Sequence, residues 1–289
     1  MLAIRDFFLD LIFTFLTLFR IPLFCRKISI PQLTGSSDMS LVILGNGPSL
    51  KNFLENQRDF MQDKKLLAVN HFSETKYYEE LKPAIYVVSA PEYWLDDIDA
   101  DFLEKRNRIF NALREKTGWS LDFFIPVAAK RNLWWKKVLD KNPHIRVHYY
   151  NTMPVEGFRA FRYMLFSLKC GMTRPHNVLI PSLMIGIWTG FKEIYLVGAD
   201  HDWMKEIFVG PDNTVYLTQR HFYDAQKAKP DVMKNLGKGQ RKLHEILEKF
   251  YWSFKGYHDI RRWAEPKGVR IINITPGSWI DAFERQSIE

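Results

Sequence analysis

Cysteine is scarce in the 289-residue chain, which contains only Cys25 and Cys170. Neither cysteine has a partner at the spacing of a metal site, and two cysteines cannot build the cross-linked framework of a small secreted domain. We therefore expect neither a zinc site nor a disulfide framework. A reducing, cytosolic setting fits this cysteine content best.

Long uninterrupted apolar runs, internal repeats and low-complexity tracts are also missing. The most apolar stretch, 7–19, is broken by polar residues and is shorter than the roughly 20 apolar residues that a membrane-spanning helix needs. The acidic Asp6 and the lack of a small-residue cleavage site speak against a secretory signal peptide. The basic residues are scattered and form no recognition motif, so nucleic-acid binding is the least expected function.

Apolar residues and positive charge are plentiful. Hydrophobic residues make up 46% of the chain and aromatic residues 15%, which supports a substantial core and excludes general disorder. The net charge of +8 and the pI near 9.3 favour an anionic partner, such as a phosphate-bearing substrate or an acidic membrane surface. At this length we predict one large α/β domain with an appendage rather than two small domains.

The segment 1–30 is predicted to form an amphipathic helix whose apolar run ends at Arg20 and Pro22. Four polar residues follow one another at intervals of four, four and three positions. This spacing places them in one stripe of a largely apolar helix. These residues are Asp6, Asp10, Thr14 and Thr17. We expect the helix to lie in the lipid interface at the cytoplasmic face of the inner membrane, with basic side chains near anionic lipid. The basic residues are Arg5, Arg20, Arg26 and Lys27. The alternative is a helix packed against the domain or in a homo-oligomer interface.

The stretch LVILGNGPSL at 41–50 predicts a strand, a tight turn and the start of a helix. Gly45 and Gly47 allow the backbone to approach a ligand closely, and Asn46 offers an amide at the end of the strand. Ser49 is suited to cap the helix beside an anion attracted to the helix N-terminus. This pattern predicts a phosphate site, and its alternative is an ordinary strand-to-helix turn.

Apolar runs predict further strands at 66–69, 84–89, 147–150, 194–197 and 269–274. Three of these strands end at polar residues, Asn70, Ser89 and Asp200. The carboxyl ends of parallel strands share one edge of a sheet, so we expect these side chains to converge with Asn46 on one crevice. The alternative for Asn70 is a helix cap. Asn177 precedes an apolar helix predicted at 178–189.

Two longer segments complete the predicted domain, 38–289, which is a single doubly wound, mainly parallel, Rossmann-like α/β fold. Residues 96–142 are charged and follow a helical pattern. Residues 204–239 are polar, contain glycine and follow no clear period, which is typical of a lid. This lid carries Tyr216, His221 and Tyr223, a set suited to close over a nucleotide phosphate.

Three blocks, GNGPSL at 45–50, GFKEIYLVGAD at 190–200 and RIINITPGS at 270–278, resemble the bacterial sialyltransferases of glycosyltransferase family 42. They resemble equally the wider superfamily of motility-associated and surface-polysaccharide glycosyltransferases. The resemblance implies a GT-A variant fold, a CMP-activated sugar donor and inverting transfer without a required cofactor. Our candidates for the donor site are Asn46, Gly47, Ser49, Asn70, Ser89, Asn177, Asp200, Tyr216 and Tyr223.

The resemblance also implies a histidine general base at the end of the lid. Spacing leaves two candidates, His221, which we favour, and His258. A histidine suits removal of a hydroxyl proton because its pKa lies near neutral pH. The resembled enzymes carry a tyrosine two positions after the aspartate of the second block, whereas this chain has Asp202. The expected acceptor is a hydroxyl of a lipid-linked or surface glycan, as in lipopolysaccharide or capsule synthesis.

Three alternatives remain open. Asp200 and Asp202 form an Asp-x-Asp pattern of the kind that binds a divalent metal in other nucleotide-sugar transferases. The fold resemblance also extends to pterin diphosphokinases, which use ATP and magnesium. A membrane-bound scaffold without turnover is the non-enzymatic alternative.

Overall fold

Eight parallel strands form the central sheet of the computed structural model, which describes residues 2–33, 35–224, 229–233 and 239–288. In spatial order they are β11 (Glu284–Arg285), β10 (Arg270–Asn273), β6 (Glu193–Val197), β1 (Leu41–Leu44), β2 (Lys65–Val69), β3 (Ile85–Val87), β4 (Leu121–Pro126) and β5 (Ile145–Tyr150). Every adjacent pair is parallel. The predicted doubly wound, Rossmann-like fold is confirmed.

Each face of the sheet is covered by its own hydrophobic core. Leu41 and Ile43 of β1 belong to one core, and Val42 and Leu44 belong to the other, because successive side chains of a strand point to opposite faces. All four residues are fully buried. A strand buried on both sides needs apolar residues at every position, which explains the continuous apolar run.

Helices cover the two faces in separate groups. One face carries α2 (Ser49–Asn56), α3 (Tyr77–Leu81), α4 (Ala100–Lys116) and α5 (Trp134–Leu139). The other face carries α6 (Arg159–Ser167), α7 (Leu179–Trp188) and α8 (Leu243–Ala264). Every residue of α7 is buried, so α7 forms the centre of its layer. This two-sided covering leaves the C-terminal edge of the sheet available for a site.

The prediction that residues 96–142 are helical is wrong at β4. The segment LDFFIP forms a fully buried strand that pairs with β3 and β5. A short apolar run with helices on both sides gives no period that separates a strand from a buried helix. Trp135 lies in α5, the helix that follows β4, and is fully buried in the same hydrophobic core as β4.

The predicted lid contains regular structure that its sequence pattern did not indicate. Strands β7 (Ile207–Val209), β8 (Val215–Leu217) and β9 (Asp231–Val232) form a small antiparallel sheet. Residues 225–228 and 234–238 of the predicted lid lie outside the described residues, as do Met1, Thr34 and Glu289. Strands this short leave only a weak alternation in the sequence.

Helix α1 (Leu2–Phe24) packs against the domain through the two threonines of its polar stripe, Thr14 and Thr17, whereas Asp6 is exposed. Thr14 Oγ1 accepts a hydrogen bond from the Phe158 backbone N–H at 3.0 Å, and Thr17 is fully buried and exchanges hydrogen bonds with the Glu156 backbone. The helix continues through Pro22 instead of ending there. Residues 4–24 are long and apolar enough to cross a membrane, and only 6% of the most apolar window is buried.

Cys25 and Cys170 form a disulfide, which corrects the expectation of two reduced cysteines. They are 145 residues apart in the chain, and no spacing rule signals a pair at that distance. The bond joins the residue after α1 to the loop after α6. Stable disulfides are typical of oxidising compartments, so the cysteines no longer support a reducing, cytosolic setting.

Candidate functional site

The candidate site lies between β1 and β6, at the point of the sheet where the chain changes the side on which it adds strands. From β1 the chain adds β2, β3, β4 and β5 on one side, and it then adds β6, β10 and β11 on the other. In open α/β sheets, ligands bind at the carboxyl ends of the strands at such a switch point. Here the turns after β1 and β6 are in direct contact, since Gly45 N donates to Val197 O at 2.8 Å and Gly47 N donates to Gly198 O at 2.9 Å.

The glycines of these turns are required by the contact between the turns. A Cβ atom on Gly45 would lie 2.4 Å from Gly198 O, and a Cβ atom on Gly47 would lie 2.0 Å from Asp200 Oδ2. Both distances are well below van der Waals contact. The two glycines therefore allow the β1 turn to pack on the β6 turn, whereas the sequence suggested that they make room for a ligand.

Ser49 and Asp200 bind each other. Ser49 Oγ donates to Asp200 Oδ2 at 2.8 Å, and Ser49 N donates to Asp200 Oδ1 at 3.3 Å. Burial raises the pKa of the Asp200 carboxyl, and the two hydrogen bonds from Ser49 oppose that rise. The carboxylate of Asp200 thus occupies the anion position at the N-terminus of α2, which the sequence had assigned to a phosphate.

A cavity of about 650 Å³ opens at this edge, and we call it the switch cavity. Eight of the eleven candidate residues line it. They are Asn46, Gly47, Asn70, Ser89, Asn177, Asp200, His221 and Tyr223. The lining does not include Ser49, Tyr216 or His258. Residues from both halves of the chain therefore share one cavity, as the strand-end argument predicts.

Two residues that line the switch cavity, Asn46 and Asn70, have buried amide oxygens. Asn46 Nδ2 donates to Val69 O at 3.2 Å. Within the described part of the chain, Asn46 Oδ1 and Asn70 Oδ1 accept no hydrogen bond. Asn70 has a φ of 49°, a left-handed conformation that asparagine tolerates better than most residues. A buried acceptor without a donor costs free energy, so this pair is suited to accept hydrogen bonds from a ligand.

His221 lies between the switch cavity and a second cavity of about 930 Å³, which we call the outer cavity. Its ring stacks on Tyr223 with centroids 5.0 Å apart, and its Nδ1 lies 3.7 Å from Asp224 Oδ2. Burial lowers the pKa of His221, and the carboxylate of Asp224 opposes that shift. The imidazole is consequently neutral near pH 7 and able to take a proton.

The other proposed base and one proposed tyrosine lie away from the switch cavity. His258 Nε2 is 3.1 Å from Asp281 Oδ1, in an exposed pair. Tyr216 on β8 stacks on Phe208, and its hydroxyl donates to Asp212 Oδ2 at 3.5 Å. Neither residue belongs to the lining of the switch cavity.

Asn177 has a structural role in addition to its place in the cavity lining. Its Oδ1 accepts hydrogen bonds from Leu179 N at 2.9 Å and Ile180 N at 3.3 Å, which caps α7. The Tyr257 hydroxyl donates to the same oxygen at 3.1 Å and also contacts His201 Nε2 at 2.8 Å. Burial lowers the pKa of His201 to about 3, so this imidazole stays neutral.

A cationic wall of the switch cavity was missed in the sequence. Arg241 and Lys249 line the cavity from the side of α8, and His176 lies in the same lining. Burial lowers the pKa of Lys249, and Arg241 lowers it further. Burial together with nearby Lys249 and Arg174 lowers the pKa of His176 to about 4. No motif marks these residues: Lys249 lies on α8, which has the pattern of an ordinary amphipathic helix, and Arg241 and His176 lie in loops.

The two carboxylates of the Asp-x-Asp pattern have partners within the protein. Asp200 and Asp202 both line the switch cavity. Both oxygens of Asp200 bind Ser49, and Asp202 Oδ2 lies 3.3 Å from Lys205 Nζ. Among the described residues there is no cluster of three histidine, cysteine, aspartate or glutamate side chains that could hold a metal ion.

No family model and no curated protein matches the chain. Among solved structures, the chain is similar to the MAf glycosyltransferase from Magnetospirillum magneticum AMB-1, with 12% sequence identity and a TM-score of 0.47. The alignment covers 91% of this chain and 35% of that glycosyltransferase. This chain therefore spans about a third of that protein's length, and a likeness of this size carries no conclusion about activity.

Proposed function

We propose that this protein is a glycosyltransferase that moves a sugar from a nucleotide-activated donor, with CMP as the nucleotide, to a glycan hydroxyl. One observation carries the proposal: His221 and Asn70 line both the switch cavity and the outer cavity. Transfer between two substrates needs two adjoining binding spaces and a proton acceptor where they meet. A neutral histidine at that boundary supplies the proton acceptor.

The switch cavity suits the donor. Its volume of about 650 Å³ lies within the range of cavities that hold small ligands. The amide oxygens of Asn46 and Asn70 are free to accept hydrogen bonds from the amino group of a nucleobase or from ribose hydroxyls. Arg241 and Lys249 line the same cavity and bring positive charge that is suited to bind a phosphate.

The transfer step needs little from the protein beyond positioning and charge. The acceptor hydroxyl gives its proton to a ring nitrogen of His221, and its oxygen forms a bond to the anomeric carbon of the donor. The bond between that carbon and the phosphate oxygen breaks, and the electron pair leaves with the nucleoside phosphate. Attack opposite to the leaving group inverts the anomeric centre. Arg241 and Lys249 stabilise the negative charge on the leaving phosphate.

The lining of the outer cavity is suited to bind a polar acceptor. The exposed apolar surface of α1 favours an acceptor that is attached to a membrane. The outer cavity is lined by charged side chains of both signs, including Lys51, Glu55, Lys105 and Asp224. Helix α1 leaves most of its apolar surface exposed. We therefore infer that the protein associates with a membrane and that its acceptor is a lipid-linked or surface glycan.

A thermal-shift comparison of CMP, UDP, GDP and ATP with magnesium tests the donor, because a ligand that binds only the folded state raises the unfolding temperature. We expect CMP to raise it most and Asn46→Ala to remove the rise. The matched control is Asn52→Ala, an exposed asparagine on α2, which should keep it. A response to ATP with magnesium alone would favour a diphosphokinase, and no response to any nucleotide would contradict the proposal.

A further inference from the structure

A third cavity, of about 900 Å³, lies between the C-terminal end of α1 and the loops that follow β4 and β5. We call it the basic cavity. Six cationic side chains line it, namely Arg20, Arg26, Lys27, Lys130, Arg131 and Arg174. Among the described residues, Glu156 is the one carboxylate in the lining, so the described lining carries a formal excess of five positive charges. Such an excess attracts an anion strongly.

Internal ion pairs neutralise only part of this charge. Glu156 binds Arg20 at 3.1 Å and Arg174 at 2.9 Å. Lys130 lies over the ring of Tyr149. In the part of the chain that the structure describes, the side chains of Lys27 and Arg131 form no hydrogen bond or ion pair, and both are exposed. These cations are therefore available to a ligand.

The same cavity has an apolar border. Leu23 and Phe24, at the end of α1, line it and are 61% and 52% exposed. They continue the exposed apolar surface of α1, which includes Phe15 and Phe19. A cationic, anion-binding site with an apolar border matches an amphiphile that has a phosphate head and a hydrocarbon chain.

The position of α1 shows how such an amphiphile would reach the cavity. The helix contacts the domain along its length, from Phe7, which packs on Phe158, to Cys25, which is joined to Cys170. Because α1 is fixed along the surface of the domain, it cannot cross a bilayer unless the domain also enters the hydrocarbon region. It can lie in the interface, which places the basic cavity at the level of lipid head groups.

The basic cavity also adjoins the switch cavity. Pro175 and His176 line both. His176 Nε2 is buried and has no hydrogen-bond partner among the described residues. We propose that the basic cavity binds the phosphate or diphosphate head group of a membrane amphiphile whose chain lies against α1. We further infer, and this part rests on the proposed glycosyl transfer, that the amphiphile is the acceptor and that its polar head extends past His176 into the site.

Vesicle co-sedimentation of the full chain tests this proposal. The probe is phosphatidylcholine vesicles that contain a long-chain alkyl diphosphate, and the comparison is phosphatidylglycerol at the same surface charge. We expect Lys27→Glu combined with Arg131→Glu to weaken binding to the diphosphate vesicles about tenfold or more. The matched control is Lys137→Glu combined with Lys141→Glu, which makes the same change in net charge at two exposed lysines outside the described lining of the basic cavity and should bind like the wild type.

Each outcome bears on one part of the proposal. Unchanged binding by the double variant would overturn the site, and equal binding of the wild type to both anionic lipids would overturn recognition of the head group. Stabilisation by soluble pyrophosphate without vesicle binding would overturn the membrane part. CMP stabilisation is measured on the same proteins. Suppose that CMP does not stabilise the wild type, while vesicle binding still requires Lys27 and Arg131. That result would contradict the proposed function and would support the phosphate site.

Discussion

Ser49 and Asp200, 151 residues apart in the chain, are joined by a hydrogen bond of 2.8 Å across the switch point of the sheet. The bond fixes the β1 turn to the β6 turn and places a protein carboxylate at the N-terminus of α2. A phosphate at the same position would meet like charge. For the proposed transfer, we therefore expect Arg241 and Lys249 rather than the N-terminus of α2 to bind the donor phosphate.

Gly47→Ala tests the contact between the two turns. The new Cβ atom would lie 2.0 Å from Asp200 Oδ2 and 2.7 Å from Gly198 O, so the turns must separate. We expect a loss of about 1–3 kcal/mol in the free energy of unfolding and a weaker CMP thermal shift. Denaturant unfolding and thermal shift measure the two effects.

Gly118→Ala is the matched control for Gly47→Ala. A Cβ atom on Gly118 would have nothing within 4 Å. We expect a change of less than about 1 kcal/mol in the free energy of unfolding and an unchanged CMP response. Equal effects at Gly47 and Gly118 would contradict the close packing of the turns.

His221→Ala and His258→Ala distinguish the two candidate bases. His221 lies between the switch and outer cavities, whereas His258 pairs with Asp281 outside the switch cavity. We expect His221→Ala to lower kcat about 10²–10⁴-fold while CMP still stabilises the protein. His258→Ala should retain near wild-type turnover. The reverse result would transfer the role of base to His258.

Removal of divalent metal tests the Asp-x-Asp alternative. Asp200 is hydrogen-bonded to Ser49 and Asp202 is paired with Lys205, so we expect turnover and the CMP thermal shift to persist in excess EDTA. Asp202→Asn should likewise retain CMP binding. Complete loss of turnover in EDTA, restored by manganese, would show that the carboxylates bind a metal during catalysis.

The buried His201 predicts a specific dependence of stability on pH. Burial lowers its pKa from 6.5 to about 3 in the folded state, so between these values the unfolded chain binds a proton that the folded chain does not. The free energy of unfolding must therefore fall as the pH falls from about 6.5 towards 3. We expect His201→Gln to reduce this fall, and His144→Gln, at an exposed position, to leave it as in the wild type. Equal pH slopes in all three proteins would contradict the burial of His201.

The disulfide predicts sensitivity to reductant. Cys25→Ser combined with Cys170→Ser should lower the free energy of unfolding by about 2–4 kcal/mol, because the open chain gains entropy when it unfolds. A reductant should lower the unfolding temperature of the wild type to that of the double variant and should not change the variant. Two titratable thiols in the denatured, unreduced protein would contradict the bond.

Several features of the site were predictable because they arise from neighbouring residues. The continuous apolar runs of β1, β2 and β6 predicted buried parallel strands, and the residues after them predicted a crevice that contains Asn46, Asn70 and Asp200. The strand β4 was missed because a six-residue segment between helices, with Asp122 at its second position, has no decisive period. Lys249 was missed because the role of a lysine on a helix depends on what the helix faces.

By itself the sequence determined the parallel α/β architecture, the edge of the sheet that carries the site, and a polar stripe on an apolar N-terminal helix. Only the tertiary structure decided that Thr14 and Thr17 of this stripe contact the domain and that Cys25 bonds Cys170. It also decided that Ser49 binds Asp200 and that His221 rather than His258 lines the switch cavity. The physical reason is the range of the interactions. Strands and turns follow from residues close together in the chain, whereas these contacts join segments that meet only when both layers of helices have packed on the sheet.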